Sequence, residues 1–304
     1  MKQKIKRSSM SMWTAGDKVT LTLMIVPFTL MFFLFMILPV GSSLVLSFFN
    51  YDMINTPEFA GLENYFRMFI NDKVFSIAVK NTLMFSVITG PIGFMLSFVL
   101  AWMINELSPK SRTLLSFLFY SPALMGNVLM IWQVMFSGDS YGYINSALLS
   151  LNVISEPIQW FSDPRYSMNI IIMIQLWMSM GASFLANISG LQNVSISLYE
   201  AGAIDGIRNR WQELWYITLP SMKSILLFSA VMQIQASFSV SSTAVTLTGF
   251  PSVNYSTHTI VTHLSDVSST RFELGYAAAI SVFLFAMMAV TRILIGKLLS
   301  STGK

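Results

Sequence analysis

Long apolar runs separated by short polar stretches dominate the chain. Six of them reach the roughly 20 residues a helix needs to cross a bilayer: 20–47, 77–104, 113–136, 169–190, 225–248 and 276–295. The pattern predicts an all-α membrane protein of six transmembrane helices. It predicts one six-helix domain over 19–299, with tails at 1–18 and 300–304. Pro27, Pro39, Pro91 and Pro122 fall inside the first three runs. They are read as packing kinks, which membrane helices tolerate where neighbours satisfy the freed carbonyls. One stretch breaks the pattern. Residues 192–224, between the fourth and fifth runs, are polar, turn-rich and too charged to span.

Within that stretch Ser197-Leu198-Tyr199-Glu200 has capping-box spacing. It predicts a short helix starting at Ser197, with Glu200 reaching back to the free amides. Ala201, Gly202, Ala203 and Gly206 give that helix a nearly bare side. Two glycines cost a helix about 1 kcal/mol each relative to alanine. A helix carrying that cost suits close approach by another surface. Leu219-Pro220 ends the segment and sets up the next run.

Composition and charge sharpen this picture. Hydrophobic residues make up 54% of the chain and charged residues only 11%, too few charges for a soluble domain. The absence of cysteine removes disulfide and thiol chemistry. The first run follows Lys2, Lys4, Lys6, Arg7 and Lys18, but it is long and lacks a small-residue cleavage site, so it reads as a retained span. The net charge of +4 sits largely in that tail and points to topology, not to a nucleic-acid partner. The N-terminus, the 105–112 turn, the 192–224 loop and the C-terminus hold 13 of the 18 basic residues, against 5 in the other loops. The positive-inside rule then predicts both termini and the 192–224 loop in the cytoplasm. On the other side, 57–66 reads as an amphipathic piece lying along the membrane surface, and 137–167 as a structured loop. His258 and His263, five apart without a third ligand, read as loop histidines and not as a metal site.

No phosphate-binding glycine loop, His-Glu-x-x-His or Gly-x-Ser-x-Gly occurs. No catalytic residue is expected, and no cofactor held by this chain. Away from their ends the six runs carry no ionisable side chain; Arg292 lies within a turn of an end and can snorkel. This argues against proton coupling, which keeps such groups inside the membrane. The polar residues in the runs are uncharged. Gln175, Ser179 and Ser183 repeat at helical spacing in the fourth run, and Gln233, Ser237 and Ser241 in the fifth. Trp177, Phe184 and Phe238 lie close by. Amides, hydroxyls and flat aromatic faces suit a neutral saccharide, so Gln175, Trp177, Phe184, Gln233, Ser237, Phe238 and Ser241 form a candidate substrate path. Interhelical glue is an equal alternative for the same residues.

The 200–220 stretch resembles the cytoplasmic coupling-helix motif of binding-protein-dependent ABC importer permeases: Glu-Ala-Ala, three residues, Gly, nine residues, Ile-x-Leu-Pro. Glu200-Ala201-Gly202, Asp205-Gly206 and Ile217-Thr218-Leu219-Pro220 occupy its positions. Gly202 replaces the second alanine. Ten residues separate Gly206 from Ile217, and the extra one is expected within 207–210. Trp211-Gln212, Gly61-Leu62-Glu63-Asn64-Tyr65 and Asn81-Thr82-Leu83 are similar to the carbohydrate branch, the maltose, glycerol-3-phosphate and multiple-sugar permeases. The resemblance implies a multi-pass, non-enzymatic permease subunit in a prokaryotic cytoplasmic membrane, importing a sugar or oligosaccharide by alternating access. It implies a second homologous permease, two cytoplasmic ATPase subunits that bind ATP and Mg, and an extracytoplasmic solute-binding protein. Glu200, Ala201, Gly202, Asp205, Gly206, Leu219 and Pro220 would form the ATPase-coupling element. The alternatives are an ABC permease for another solute and an ion-coupled carrier acting alone.

The charge asymmetry makes a direct prediction. Reporter fusions at Ser155 and Arg208 should report outside and inside respectively; the same compartment for both excludes the six-span topology.

Overall fold

The second apolar run folds as one unbroken helix of 33 residues, Lys73–Asn105. At 1.5 Å per residue it is about 50 Å long, so its ends project beyond a hydrocarbon core about 30 Å thick. Asp72 caps its start, accepting a bond from the Phe75 amide at 2.8 Å. Pro109 begins the next helix after a short turn. The computed structural model describes residues 15–301. The basic tail residues Lys2, Lys4, Lys6, Arg7 and Lys304 lie outside the described residues, as do most of the two predicted tails.

The chain is mostly helical. Among the described residues five helices are long and apolar enough to cross a membrane: Val19–Leu46, Lys73–Asn105, Ser167–Gln192, Lys223–Thr248 and Leu274–Lys297. Pro109–Leu124 and Leu129–Met135 meet at 85°, and this bent pair makes a sixth candidate when counted as one span. The expected single helix over 113–136 is thus two. Pro122 cannot donate to the Leu118 carbonyl, and the Ser121 hydroxyl takes that carbonyl at 2.8 Å. Met125 then turns extended and the helix direction changes.

The fourth and fifth crossings are broken as well. Ser167–Met178 gives way to Ala182–Gln192, and Lys223–Phe238 to Ser242–Thr248. Such breaks survive at membrane depth only where protein satisfies the freed backbone. At the fifth-span break the Thr259 hydroxyl donates to the Val240 carbonyl at 2.9 Å.

The second, fourth and fifth spans pack against one another as the centre of the bundle. Phe98, Phe184, Ile188 and Leu214 fill one end of it; Phe85, Ile171, Val240 and Leu247 fill its middle. The first span stands apart. No residue of its apolar window is buried, and it joins the bundle only near its end, where Ser43 bonds Ser281 at 2.8 Å.

The 105–109 turn and the 192–224 loop share one end of the bundle, the loop end. The opposite end carries a two-residue hairpin, Phe49–Asn50 antiparallel to Glu58–Phe59, and a short helix, Glu63–Phe66. Asn64 donates to the carbonyls of Ser47 and Phe49, both at 3.0 Å. The 57–66 segment is therefore a hairpin strand and a helix, with Phe59, Leu62 and Phe66 exposed. The hairpin leans on the last helix at Gly275, whose amide donates to the Tyr51 carbonyl at 3.1 Å. A Cβ at Gly275 would strike the Phe49 carbonyl oxygen.

That contact is between backbones, so no side-chain rotation relieves it. Gly275→Val should destabilise the hairpin junction by about 1–3 kcal/mol, the usual range for overpacking. A thermal melt of the detergent-solubilised protein checks this; an unchanged midpoint excludes the close approach.

Candidate functional site

The loop between the fourth and fifth spans carries a helix at Ile196–Ile204. Its N-cap is Ser195, two residues earlier than the Ser197 that the capping-box spacing predicts. Glu200 therefore falls two positions past the third helical residue and does not form the predicted box. No side chain caps the start; the hydroxyls of Ser195 and Ser197 bond each other at 2.7 Å instead.

The C-terminal end follows its sequence closely. Gly206 has φ +95°. The Ile207 amide reaches the Gly202 carbonyl at 2.9 Å and the Gly206 amide the Ala203 carbonyl at 3.4 Å. These two bonds make a Schellman end, which needs a left-handed residue and strongly favours glycine. Asp205 is the exposed residue just before it.

The bare side divides. Ala201, Ala203 and Gly206 are exposed, but Gly202 is buried against this chain's own loop. A Cβ there would lie 2.6 Å from Ile217 Cδ1 and 3.1 Å from Ile207 Cδ1. Gly202 thus serves packing within the loop, a correction to its expected place on a docking side.

After the helix the chain reverses in three residues. Asn209 caps the short helix Arg210–Glu213, accepting from the Gln212 amide at 2.8 Å. Gln212 returns the bond by accepting from the Arg208 amide at 2.9 Å. A π turn at Leu214–Thr218 follows. It holds one residue more than an α turn. Thr218 accepts or shares a hydrogen with Tyr199 at 2.9 Å and donates to the Glu213 carbonyl at 3.2 Å. Leu219 packs on the bundle end, and exposed Pro220 opens the short helix Leu219–Ser221.

Two contacts brace the loop to the second span. Trp211 meets Trp102 with ring centres 5.2 Å apart, and Arg210 pairs with Glu106 at 2.9 Å. The braced loop presents exposed Ile204, Trp211, Trp215 and Tyr216. The Asn209/Gln212 reciprocity was legible as capping-box spacing; the contacts to Trp102 and Glu106 join residues more than 100 positions apart and leave no local signal.

The second candidate set does not form one site. Gln233 is buried among three helices, bonded to the Ser183 hydroxyl at 3.2 Å and the Thr89 carbonyl at 3.3 Å. Its amide occupies the space that a side chain at Gly93 would fill. Phe184 is fully buried and packs on Phe119. Gln175 and Trp177 lie elsewhere on the fourth span, Gln175 accepting from Thr243 at 3.4 Å and Trp177 against Trp132. Ser241 is bonded to Thr262 at 3.1 Å. Ser237 and Phe238 of the set line a cavity. It measures about 370 Å³ and opens between the second, fifth and last helices, beside Ser86, Gly90, Pro91 and Phe94.

His258 and His263 were read as ordinary loop histidines. They are buried and bonded to each other, and His263 also meets Asp72 at 2.9 Å. Among the described residues no group of three or more ligating side chains is placed to hold a metal.

Residues 91–301 match the family model described as "Binding-protein-dependent transport system inner membrane component". The lactose transport system permease protein LacF of Rhizobium radiobacter is 30% identical over 88% of this chain and 90% of its own length. The arabinooligosaccharides transport system permease protein AraP of Bacillus subtilis (strain 168) is 28% identical over 90% and 87%. In fold, the chain is similar to a chain from a bacterial alginate ABC transporter solved in complex with an alginate pentasaccharide-bound periplasmic protein. That likeness has a TM-score of 0.78 at 21% identity and covers 95% of this chain and 96% of that one.

Proposed function

The chain belongs to the family of binding-protein-dependent transport system inner membrane components, and from that membership we propose that it is the permease subunit of an ATP-driven importer for a sugar or oligosaccharide. The observation that carries this reading is the 196–222 loop. It is rigidly built from a Schellman end, a reciprocal cap and two braces, yet it turns Ile204, Trp211, Trp215 and Tyr216 to the outside. Large apolar side chains in a polar loop mark a surface that a partner covers.

In this reading the loop end faces the cytoplasm, as do both termini, and the hairpin end faces outward; the basic asymmetry supports that orientation. The six-helix domain spans 19–299. Glu200, Ala201, Asp205 and Gly206 meet a partner ATPase, while Gly202, Leu219 and Pro220 hold the helix in place. ATP and Mg belong to the two ATPase subunits. A second permease and an extracytoplasmic binding protein complete the importer, as the family description and the alginate importer's periplasmic protein support. The names of LacF and AraP support a sugar as cargo. The cavity beside Ser237 and Phe238 is lined without charge, which is compatible with a neutral cargo. Alternation between inward and outward access is driven from the loop, because the span centres hold no group that could carry a proton.

Coupling is tested at Gly206. A side chain there is strained by about 1–2 kcal/mol and projects into open space on the exposed side. Gly206→Leu should leave insertion and permease pairing intact. In purified complexes it should lower the ATPase subunits retained per permease pair, or the sugar moved per ATP hydrolysed. Normal values of both exclude the loop as the coupling element.

The path is tested separately. Ser237→Phe fills the cavity and should cut uptake tenfold or more while basal ATP hydrolysis persists. Unchanged uptake assigns Ser237 to packing alone.

A further inference from the structure

Residues 255–263 are the most deeply seated part of the outward loops. Thr257, His258, Thr259, Ile260, Thr262 and His263 are each at most 3% exposed. The segment satisfies three spans at once. Asn81 of the second span donates to the Tyr255 and His258 carbonyls at 2.9 and 3.0 Å, and Thr82 accepts from the Ile260 amide at 2.9 Å. Ser256 bonds Ser167 of the fourth span at 3.1 Å. Thr259 holds the Val240 carbonyl left open by the break in the fifth. The segment thus plugs the outer end of the bundle.

A chain of titratable groups runs through its seat. His258 Nε2 faces His263 Nδ1 at 3.4 Å. His263 Nε2 meets Asp72 Oδ2 at 2.9 Å, and the Tyr276 hydroxyl donates to the same oxygen at 2.7 Å. Phe250 stacks on His258 and Tyr255 meets its edge. The remaining charges nearby are already matched. Asp266 pairs with Arg271 at 2.6 Å and Arg67 with Glu273 at 2.6 Å, with Arg67 also lying over the Tyr276 ring. Burial alone would raise Asp72, but the bonds from His263, the Phe75 amide and Tyr276 outweigh it and hold the carboxyl below its ordinary range. Asp72 is the carboxylate in direct contact with the pair, since Asp266 is held by Arg271.

Counting hydrogens gives the behaviour. Two facing ring nitrogens share one hydrogen. With both rings neutral, His258 Nε2–H donates to His263 Nδ1. One added proton on the pair still leaves a single hydrogen between the facing nitrogens, and Asp72 lies against it as the balancing carboxylate. A second added proton places N–H against N–H across 3.4 Å and leaves two cations against one carboxylate. His258 Nδ1, buried and without a partner, gives no other outlet. We propose that the His258–His263 pair is a proton-operated clasp, which seats the 255–263 plug at neutral pH and releases it when the outer side is acidified.

The sign follows from the ring's two environments. Burial first, and the facing His263 second, push seated His258 down to about 4 from an ordinary value of 6.5. The seat keeps its full stability above pH 6.5. It loses that stability as pH falls from 6.5 towards 4, by about tenfold per unit at most. The orientation of the loop comes from the importer reading, but the clasp needs no transport, so its test separates from that reading.

The chain has no cysteine, so Thr257→Cys reports the seat and Ile54→Cys, at an 88% exposed position, reports intrinsic thiol reactivity at each pH. The intact complex in membranes is treated with a membrane-impermeant maleimide from pH 7.5 to 5.0, and labelling of this chain is read by mass. The ratio of the Thr257→Cys rate to the Ile54→Cys rate should rise at least tenfold on acidification. In a His258→Gln background, where the ring is replaced by an amide that does not titrate, it should stay flat. A flat ratio in the parent, or an equal rise with His258→Gln, overturns the clasp. If His258→Gln labels fast at every pH, Asp72→Asn decides. Asparagine still caps the helix but no longer balances even the first proton, so the seat resists two protons instead of one and the rise below pH 6.5 should be steeper. An unchanged or shallower rise overturns the proposal.

Discussion

Lipid tails offer no hydrogen bond, so a polar group inside this bundle is costly unless the protein satisfies it. The constraint explains where the buried amides sit. Gln233 ties the fifth span to the second and fourth through Thr89 and Ser183, and Asn187 reaches Ser97 at 3.3 Å. Asn81 and Thr82 do the same for the plug. Each such bond contributes about 0.6–2 kcal/mol in a membrane. Together they fix which helix faces which, a choice that apolar contact alone leaves open.

The same constraint governs the breaks. The bent pair around 125–128 and the fifth span are both interrupted, and the bonds that repair them come from nearby or from afar. Ser121 repairs the turn at Pro122 from the adjacent position. Thr259 repairs the fifth span from 19 positions away. A crossing mended by a distant loop depends on that loop's staying seated, so the 255–263 segment and the fifth span are linked through that bond.

Much of this was legible in the sequence, and for identifiable reasons. The six runs and the polar 192–224 loop follow from hydropathy, and the Schellman end follows from glycine at Gly206. The split of the polar stripes did not follow. Helical spacing put Gln233, Ser237 and Ser241 on one face, but the break at 239–241 turns Ser241 away to Thr262. Gly202 looked like part of an open side because spacing does not reveal that Ile217 returns across it. The histidines looked solitary because Asp72 lies 191 positions from His263. In each case local chemistry was correct and the partner was remote.

The uncharged span centres have an electrical consequence. Moving one elementary charge across 100 mV changes the free energy by about 2.3 kcal/mol. Helices without charges at mid-depth shift no gating charge when they rearrange, and a neutral cargo carries none. In the proposed importer of a neutral sugar, the membrane potential would therefore neither drive nor oppose this subunit's part of the cycle.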